Sequence, residues 1–170
     1  MCLLKQASLC LMLCLSSSTG KIFLFESWKG IIPLHSTRED VEKKLGVKSS
    51  GKSFDVFKLD TEQVMIVYSV KPCESDFEKW KVPIGTVLEL VVIPKAQPLF
   101  SEVKIDASKY KRSFSPKTDV DVVTYTDEDS GHSIEFTDER VSNYRYRPAK
   151  KDDSLLCSSN TSLDKNKSNY

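Results

Sequence analysis

The chain has 170 residues, of which 39% are hydrophobic and 29% charged. At about 150 residues per domain, this length predicts one domain or two very small ones. The 25 basic and 24 acidic residues nearly cancel. This balance excludes the strong positive field by which proteins bind nucleic acid or an anionic membrane surface.

The first twenty residues differ from the rest of the chain. Lys5 is their only charged residue, a mostly apolar run covers 7–15, and small polar residues fill 16–20. This order is typical of a secretory signal peptide, and the apolar run is shorter than the roughly 20 residues that span a bilayer. We therefore predict a signal peptide over 1–20, export to the periplasm or the extracellular space, and no transmembrane span. An internal hydrophobic element of the fold is the alternative.

Lipid attachment at Cys14 is a second alternative, which Leu13 disfavours because a small residue normally precedes a lipid-modified cysteine. Removal of the signal peptide would leave Cys73 and Cys157 from the five cysteines of the chain. In an oxidising compartment two cysteines most simply form one disulfide. Two free buried thiols, or one reactive cysteine, are the other readings. The disulfide would close a loop of about 84 residues and contribute about 4 kcal/mol of stability.

The clearest local pattern is that of a helix over 37–46. Ser36 and Glu39 have the spacing of an N-terminal capping box, and Gly46 stands where a helix ends in a left-handed glycine. Val41 and Leu45 form a narrow apolar stripe, so the helix must lean on a sheet. A second short helix is predicted over 104–112.

The rest of the chain is predicted to be rich in β-strands. Runs of β-branched and aromatic residues predict strands over 54–59, 64–70, 86–93, 120–126, 132–137 and 140–147. On the first strand, Phe54, Val56 and either Phe57 or Leu59 are expected on the core face. Turn residues at 129–131 and 138–139 join the last three strands into a meander.

The predicted fold class is therefore α+β, with a short helix or helices packed on an antiparallel sheet. The halves 28–97 and 98–148 suggest a tandem repeat of a helix plus three strands. We expect one domain over 21–157 and a disordered polar tail over 158–170.

Several words of the sequence resemble known families. The segment Trp28-Lys-Gly-Ile-Ile-Pro-Leu-His-Ser-Thr-Arg-Glu-Asp-Val-Glu-Lys-Lys-Leu-Gly46 resembles the opening of a group of uncharacterised exported bacterial proteins. The words Tyr68-Ser-Val-Lys-Pro-Cys73 and Tyr146-Arg-Pro, the latter with Leu156-Cys157, resemble the same group. No activity comes with that resemblance.

A more distant resemblance concerns Thr37-Arg38-x-x-Val41-x-x-x-Leu45-Gly46 and the later Ile134-Glu-Phe136-x-x-x-x-Val141. Both are similar to words of the small-protein-A/outer-membrane-lipoprotein-A family. These are BamE-like envelope modules, related in fold to the β-lactamase inhibitor protein. The resemblance implies a helical segment on a three-stranded antiparallel sheet, and a role in binding proteins.

Patterns typical of catalysis or metal binding are sparse. His35 and His132 lie far apart in the sequence without closely spaced ligands, so neither a metal site nor a cofactor is predicted. Tyr144 and Tyr146 alternate with two arginines, which on a strand places the rings on one face and the basic groups on the other. This argues against nucleic acid as a partner. The open face or edge of the sheet near these tyrosines is the expected binding place.

The leading functional hypothesis is an exported, non-enzymatic module that binds a protein or cell-envelope partner, or has a structural role there. The alternative is a secreted hydrolase that uses paired carboxylates such as Asp127, Glu128 or Glu135. The sequence leaves the oligomeric state open.

Overall fold

A computed structural model describes residues 27–74, 79–117 and 120–158. The predicted signal peptide over 1–20, and all but the first residue of the predicted tail, lie outside these ranges. The α-helix and the strands are α1 (Arg38–Leu45), β1 (Phe54–Lys58), β2 (Glu62–Tyr68), β3 (Val87–Pro94), β4 (Lys111–Lys117), β5 (Val120–Asp127), β6 (His132–Thr137) and β7 (Arg140–Tyr146). Short 3₁₀ turns cover Phe100–Glu102 and Lys150–Leu155.

The seven strands form one antiparallel sheet in the order β1-β2-β3-β7-β6-β5-β4. The meander β1 to β3 and the meander β4 to β7 meet where β3 pairs with β7, so β1 and β4 are the edges. The seam is short, running from Leu90 opposite Tyr146 to Val92 opposite Tyr144. Glu89 of β3 forms two ion pairs across the seam, at 3.0 Å to Arg145 and at 3.0 Å to Arg147.

The antiparallel sheet with a short helix is confirmed, although strands dominate the fold. All six predicted strands and the helix over 37–46 are present within one or two residues. The predicted helix over 104–112 is wrong. Asp106 instead accepts a hydrogen bond from the Ser108 amide at 3.0 Å and closes a turn. Strand β4 was not predicted, because Phe114 is its only strongly apolar residue and gives no alternation.

The helix begins one residue later than the predicted capping box. Thr37 is the N-cap, and Asp40 accepts a 2.8 Å hydrogen bond from the Thr37 amide. Ser36 is unavailable because its hydroxyl accepts from the Ile32 amide at 3.0 Å and closes the preceding turn. The predicted C-terminal cap is confirmed, since Gly46 has φ 68° and its N–H binds the Glu42 carbonyl.

The core lies between the helix and one face of the sheet. Val41 of α1 is fully buried there, against residues of the N-terminal segment and of five strands. The cluster is completed by Trp28, Ile31, Phe57, Val64, Ile66, Tyr68, Val87, Leu90, Val92, Val103, Ile134, Phe136, Val141, Tyr144 and Tyr146. A smaller cluster joins Leu34, Trp80, Val82 and Leu88, with Leu155 and Leu156 packed against it.

Strand β1 presents the opposite face from the one expected for its first residues. Phe54 and Val56 are exposed, and the buried residues are Asp55 and Phe57. The expectation was therefore wrong for Phe54 and Val56 and right for Phe57. Asp55 determines which face of β1 turns to the core, because its carboxylate accepts hydrogen bonds from groups on the core side.

The predicted disulfide joins Cys73 and Cys157, whose Cα atoms are 5.6 Å apart. It ties the segment after β7 to the loop after β2. Next to it the Cys157 amide donates to the Lys79 carbonyl at 2.8 Å, and Trp80 pairs with Leu156. The bond therefore lies at the border of the smaller apolar cluster.

Candidate functional site

A cleft of about 590 Å³ opens on the core-side face of β4, β5 and β6. Its floor is made of residues that stand opposite one another in register, Phe114 with Val123 and Val123 with Phe136. Directly opposite residues of an antiparallel pair share a face, so these side chains all point into the cleft. We call it the aromatic cleft; its lining is Leu99, Phe100, Ser101, Arg112, Phe114, Asp121, Val123, Tyr125, Phe136, Asp138 and Glu139.

Packed rings form the apolar part of the aromatic cleft. Phe100 lies 5.6 Å from Tyr125 and 5.2 Å from Phe136 between ring centroids, the second pair edge to face. Tyr125 and Phe136 also meet edge to face, at 5.8 Å. Such pairs prefer these offset geometries and fix one another's orientation. One wall of the cleft is therefore built of mutually packed rings, while Phe100 is 43% and Phe114 51% exposed.

The 3₁₀ turn that carries Phe100 is held to the tip of the β6–β7 hairpin. The Phe100 amide donates to the Glu139 carbonyl at 2.7 Å, and Leu99 forms a bridge with Arg140. Asp138 and Glu139 have φ of 51° and 61°, the left-handed pair of a tight hairpin turn. The turn thus places two carboxylates beside the exposed ring.

Charge is distributed unevenly around the aromatic cleft. Asp121 at the start of β5 and the hairpin pair Asp138 and Glu139 lie at one end, since Val122 stands opposite Thr137. Arg112 stands opposite Tyr125, four residues further along β5. At about 3.3 Å per residue, Arg112 is displaced by about 13 Å from the acidic end along the strand direction. Over the described ranges, none of these four charged side chains has an ion-pair partner within 4 Å.

A second polar cluster, at the start of α1, has a structural role. The Arg38 guanidinium donates to Asp55 Oδ2 at 2.9 Å and to the Gly51 and Lys52 carbonyls at 2.7 Å each. It also stacks on the Tyr68 ring, 3.9 Å from the centroid. Each residue of the motif Thr37-Arg38-x-x-Val41-x-x-x-Leu45-Gly46 therefore has a structural role. Thr37 and Gly46 cap the helix, Arg38 binds Asp55, and Val41 and Leu45 pack against the core.

His132 is the most deeply buried ionisable group of β6, with 1% of its surface exposed. Its Nδ1 lies 2.8 Å from the Tyr110 hydroxyl, and its ring packs 4.7 Å from that of Tyr146. Burial lowers the pKa of His132 from 6.5 to about 4, against a smaller opposite effect of Asp127. The folded protein therefore holds this imidazole neutral at neutral pH.

This burial predicts an acid-sensitive stability. Between pH 6.5 and about 4, His132 is protonated in the unfolded chain and neutral in the folded chain. The unfolding free energy should therefore fall by about 3 kcal/mol across this window. Urea unfolding at a series of pH values measures it. His132→Phe should flatten the profile between pH 6.5 and 4, and Tyr110→Phe, which leaves the imidazole buried, should keep the wild-type slope. An unchanged slope in His132→Phe would contradict the assignment.

The two tyrosines predicted at a binding face lie elsewhere than expected. Tyr144 and Tyr146 are each 9% exposed and belong to the core cluster. The predicted alternation of rings and arginines along β7 is confirmed, and it turns the rings inward. The expectation of an open face around them is thus corrected, and their role in binding stays a prediction.

The carboxylates of the hydrolase alternative are not brought together in a cleft. Asp127 accepts hydrogen bonds from the Asp129 and Ser130 amides within the β5–β6 turn, and Glu128 is paired with Lys111. Glu135 lies in the middle of β6, on the face of the sheet away from the aromatic cleft, and its carboxylate accepts hydrogen bonds from the Ser142 and Asn143 side chains.

His35 and His132 are also separate in the fold. His35 Nε2 lies 2.8 Å from Asp152 Oδ1, beside the C-terminal 3₁₀ turn. Within 27–74, 79–117 and 120–158, no cluster of three or more histidine, cysteine or acidic side chains could hold a metal ion. The helices of the same ranges are all too short or too polar to cross a membrane.

Over the described residues, the fold is dominated by the sheet, carries one short α-helix and presents an open aromatic cleft with charged residues at its rim. Compared with protein-family models, with curated proteins and with solved structures, the chain matches none. The BamE-like resemblance therefore stays a prediction. Sequence reasoning missed the aromatic cleft. Its only local signal was Phe114, a lone aromatic residue within an otherwise polar stretch.

Proposed function

We propose that this protein is a non-enzymatic binding module that holds a segment of a protein partner in the aromatic cleft. The observation that carries the proposal is the exposure of Phe100 and Phe114 over a wall of packed rings. Aromatic side chains that are rigid and exposed are typical anchors of protein interfaces. The volume of the cleft suits a few side chains of a partner rather than a flat contact.

We further propose that the module acts outside the cytoplasm, in the cell envelope or beyond it. The order of residues over 1–20 and the pairing of Cys73 with Cys157 support this location. The BamE-like class and the tandem repeat belong to the same proposal. Two antiparallel meanders that each end at the central seam support the repeat, although the second half has four strands and starts with a 3₁₀ turn.

Site-specific photo-crosslinking tests the binding function in the cells that make the protein. We expect benzoylphenylalanine at position 114 to form a covalent adduct with a protein partner. Position 54 is the matched control, because Phe54 is equally exposed but lies on the other edge strand and the other face. Excess unlabelled chain should compete the adduct away, and excess Phe100→Asp variant should not. Equal adducts from both positions would refute the cleft as the binding site.

A further inference from the structure

We propose that the aromatic cleft selects an extended partner segment that carries a basic residue, then an apolar residue, then an acidic residue, at alternate positions. The inference rests on the proposed function and names the chemistry of the partner. Its basis is the order of groups across the cleft in the direction of β5: first the carboxylates of β5 and the β6–β7 turn, then the rings, then Arg112 of β4.

The acidic end has three carboxylates, and none of them has an ion-pair partner within 4 Å among the described side chains. Asp138 and Glu139 are fixed by the hairpin turn, and Asp121 comes from the neighbouring strand. Charged groups that have no internal partner favour a ligand of opposite charge and disfavour one of like charge. A lysine or arginine of the partner fits this end.

The other end has the opposite sign. Arg112 lies about 13 Å along the strand from the acidic end. An extended segment covers that distance in about four residues, and its first, third and fifth side chains point the same way. The first residue can therefore meet the carboxylates, the third can insert between Phe100 and Phe114, and the fifth, if acidic, can meet Arg112.

Three synthetic peptides test the pattern by NMR titration of the chain. The first has Lys-Ser-Phe-Ser-Asp at its centre, the second replaces the lysine by aspartate, and the third replaces the phenylalanine by alanine. We expect the first to bind about tenfold more tightly than the second, and the third to lose binding. Shifts should centre on Phe114 and the 138–139 turn, and the preference should weaken as salt is raised.

Two matched variants locate the preference. Asp121→Asn, Asp138→Asn and Glu139→Gln together should remove the preference for lysine and keep binding of the phenylalanine. The control Glu39→Gln, Asp60→Asn and Asp153→Asn makes the same change in net charge at exposed sites away from the cleft. It should keep the full tenfold preference.

The outcomes separate this inference from the function on which it rests. Binding that needs Phe114 but ignores the flanking charges overturns the inference and leaves the cleft as a binding site. A crosslink at position 114 together with no peptide binding has the same meaning. The chain itself carries Lys21-Ile-Phe-Leu-Phe-Glu26. If replacing 21–26 by glycine and serine raises the peptide affinity strongly, that segment of the chain occupies the cleft, and the proposal of a partner segment is overturned. A dimer in sedimentation that Phe114→Ser dissociates would overturn it as well.

Discussion

Replacing Cys73 and Cys157 together by serine is expected to lower the unfolding free energy by about 4 kcal/mol, the largest loss in stability we anticipate from any cysteine change. The bond closes a loop of 84 residues, and restricting the unfolded chain by so long a loop gives about this magnitude. Urea unfolding under non-reducing conditions measures the difference. The wild-type protein should fall to the stability of the variant when a reductant is added.

The serine variant supplies its own control, because its stability should not respond to reductant. Hydrogen exchange then shows where the bond acts. If it only restricts the unfolded chain, protection falls evenly over the core. If it also clamps the native structure, the amides of Lys81 and Cys157, which bind the Leu155 and Lys79 carbonyls, lose more protection than β2 or β6. Equal stability with and without the bond would contradict the prediction.

The disulfide could be predicted because elimination left only one pair. The strands and the helix could be predicted because each has a strong local pattern: β-branched runs, a cap and a stop. These signals need no knowledge of what lies far away in the sequence. The pairing of β3 with β7 depends on such distant contacts, and no residue in the sequence of either strand indicates it.

The aromatic cleft escaped prediction for the same reason. Phe100 and Phe114 are isolated in sequence, and their meaning arises only when a 3₁₀ turn, an edge strand and a hairpin tip converge. Tyr144 and Tyr146 were predicted to lie near the binding place instead, because their alternation is that of a half-buried strand with one face left open. On a central strand, however, the same alternation places them in the core.

The choice of the buried face of β1 shows most directly how residues distant in the sequence determine local structure. Apolar residues occupy both faces of the strand, so its pattern is ambiguous. Asp55 settles the matter, because its carboxylate has four donors on the core side. They are the Ser50 and Gly51 amides at 3.0 and 2.7 Å, the Ser49 hydroxyl and the Arg38 guanidinium. Burying a carboxylate without such partners would be strongly destabilising, so these donors are what allow Asp55 to face the core.

Asp55→Ala is therefore expected to cost about 3 kcal/mol of unfolding free energy at neutral pH. Asp55 is only 5% exposed. Removing it takes away the acceptor of two loop amides and the only carboxylate partner of the Arg38 guanidinium among the described residues, which then keeps only carbonyl and hydroxyl partners. Loss of one partner of a buried ion pair typically costs 3 to 5 kcal/mol. Urea unfolding of the variant measures the loss. Asp60→Ala, in the exposed β1–β2 turn, is the control and should change stability by less than about 0.5 kcal/mol.

A second variant tests whether Asp55 acts through Arg38. Arg38→Met keeps an aliphatic stem over the Tyr68 ring but removes the charge. If the two side chains act as one unit, the double variant should lose clearly less than the sum of the single losses. Additive losses would contradict the proposed pairing and assign the effect of Asp55 to the loop amides alone.

The pH dependence of the same variant gives an independent check. Burial raises the pKa of Asp55, but the hydrogen bonds from Ser49, Gly51 and Ser50 and the charge of Arg38 outweigh it, so the pKa lies below its ordinary value of 3.8. A carboxyl with a lowered folded pKa contributes stability above its unfolded pKa, and that stability is lost as the pH falls through the folded pKa. The difference between wild type and Asp55→Ala should hold down to about pH 4 and shrink below it. The loss due to His132 falls between pH 6.5 and about 4, so the two groups should appear as separate steps of one acid-unfolding profile. A single step, unchanged in both variants, would mean that neither group governs the acid stability of the fold.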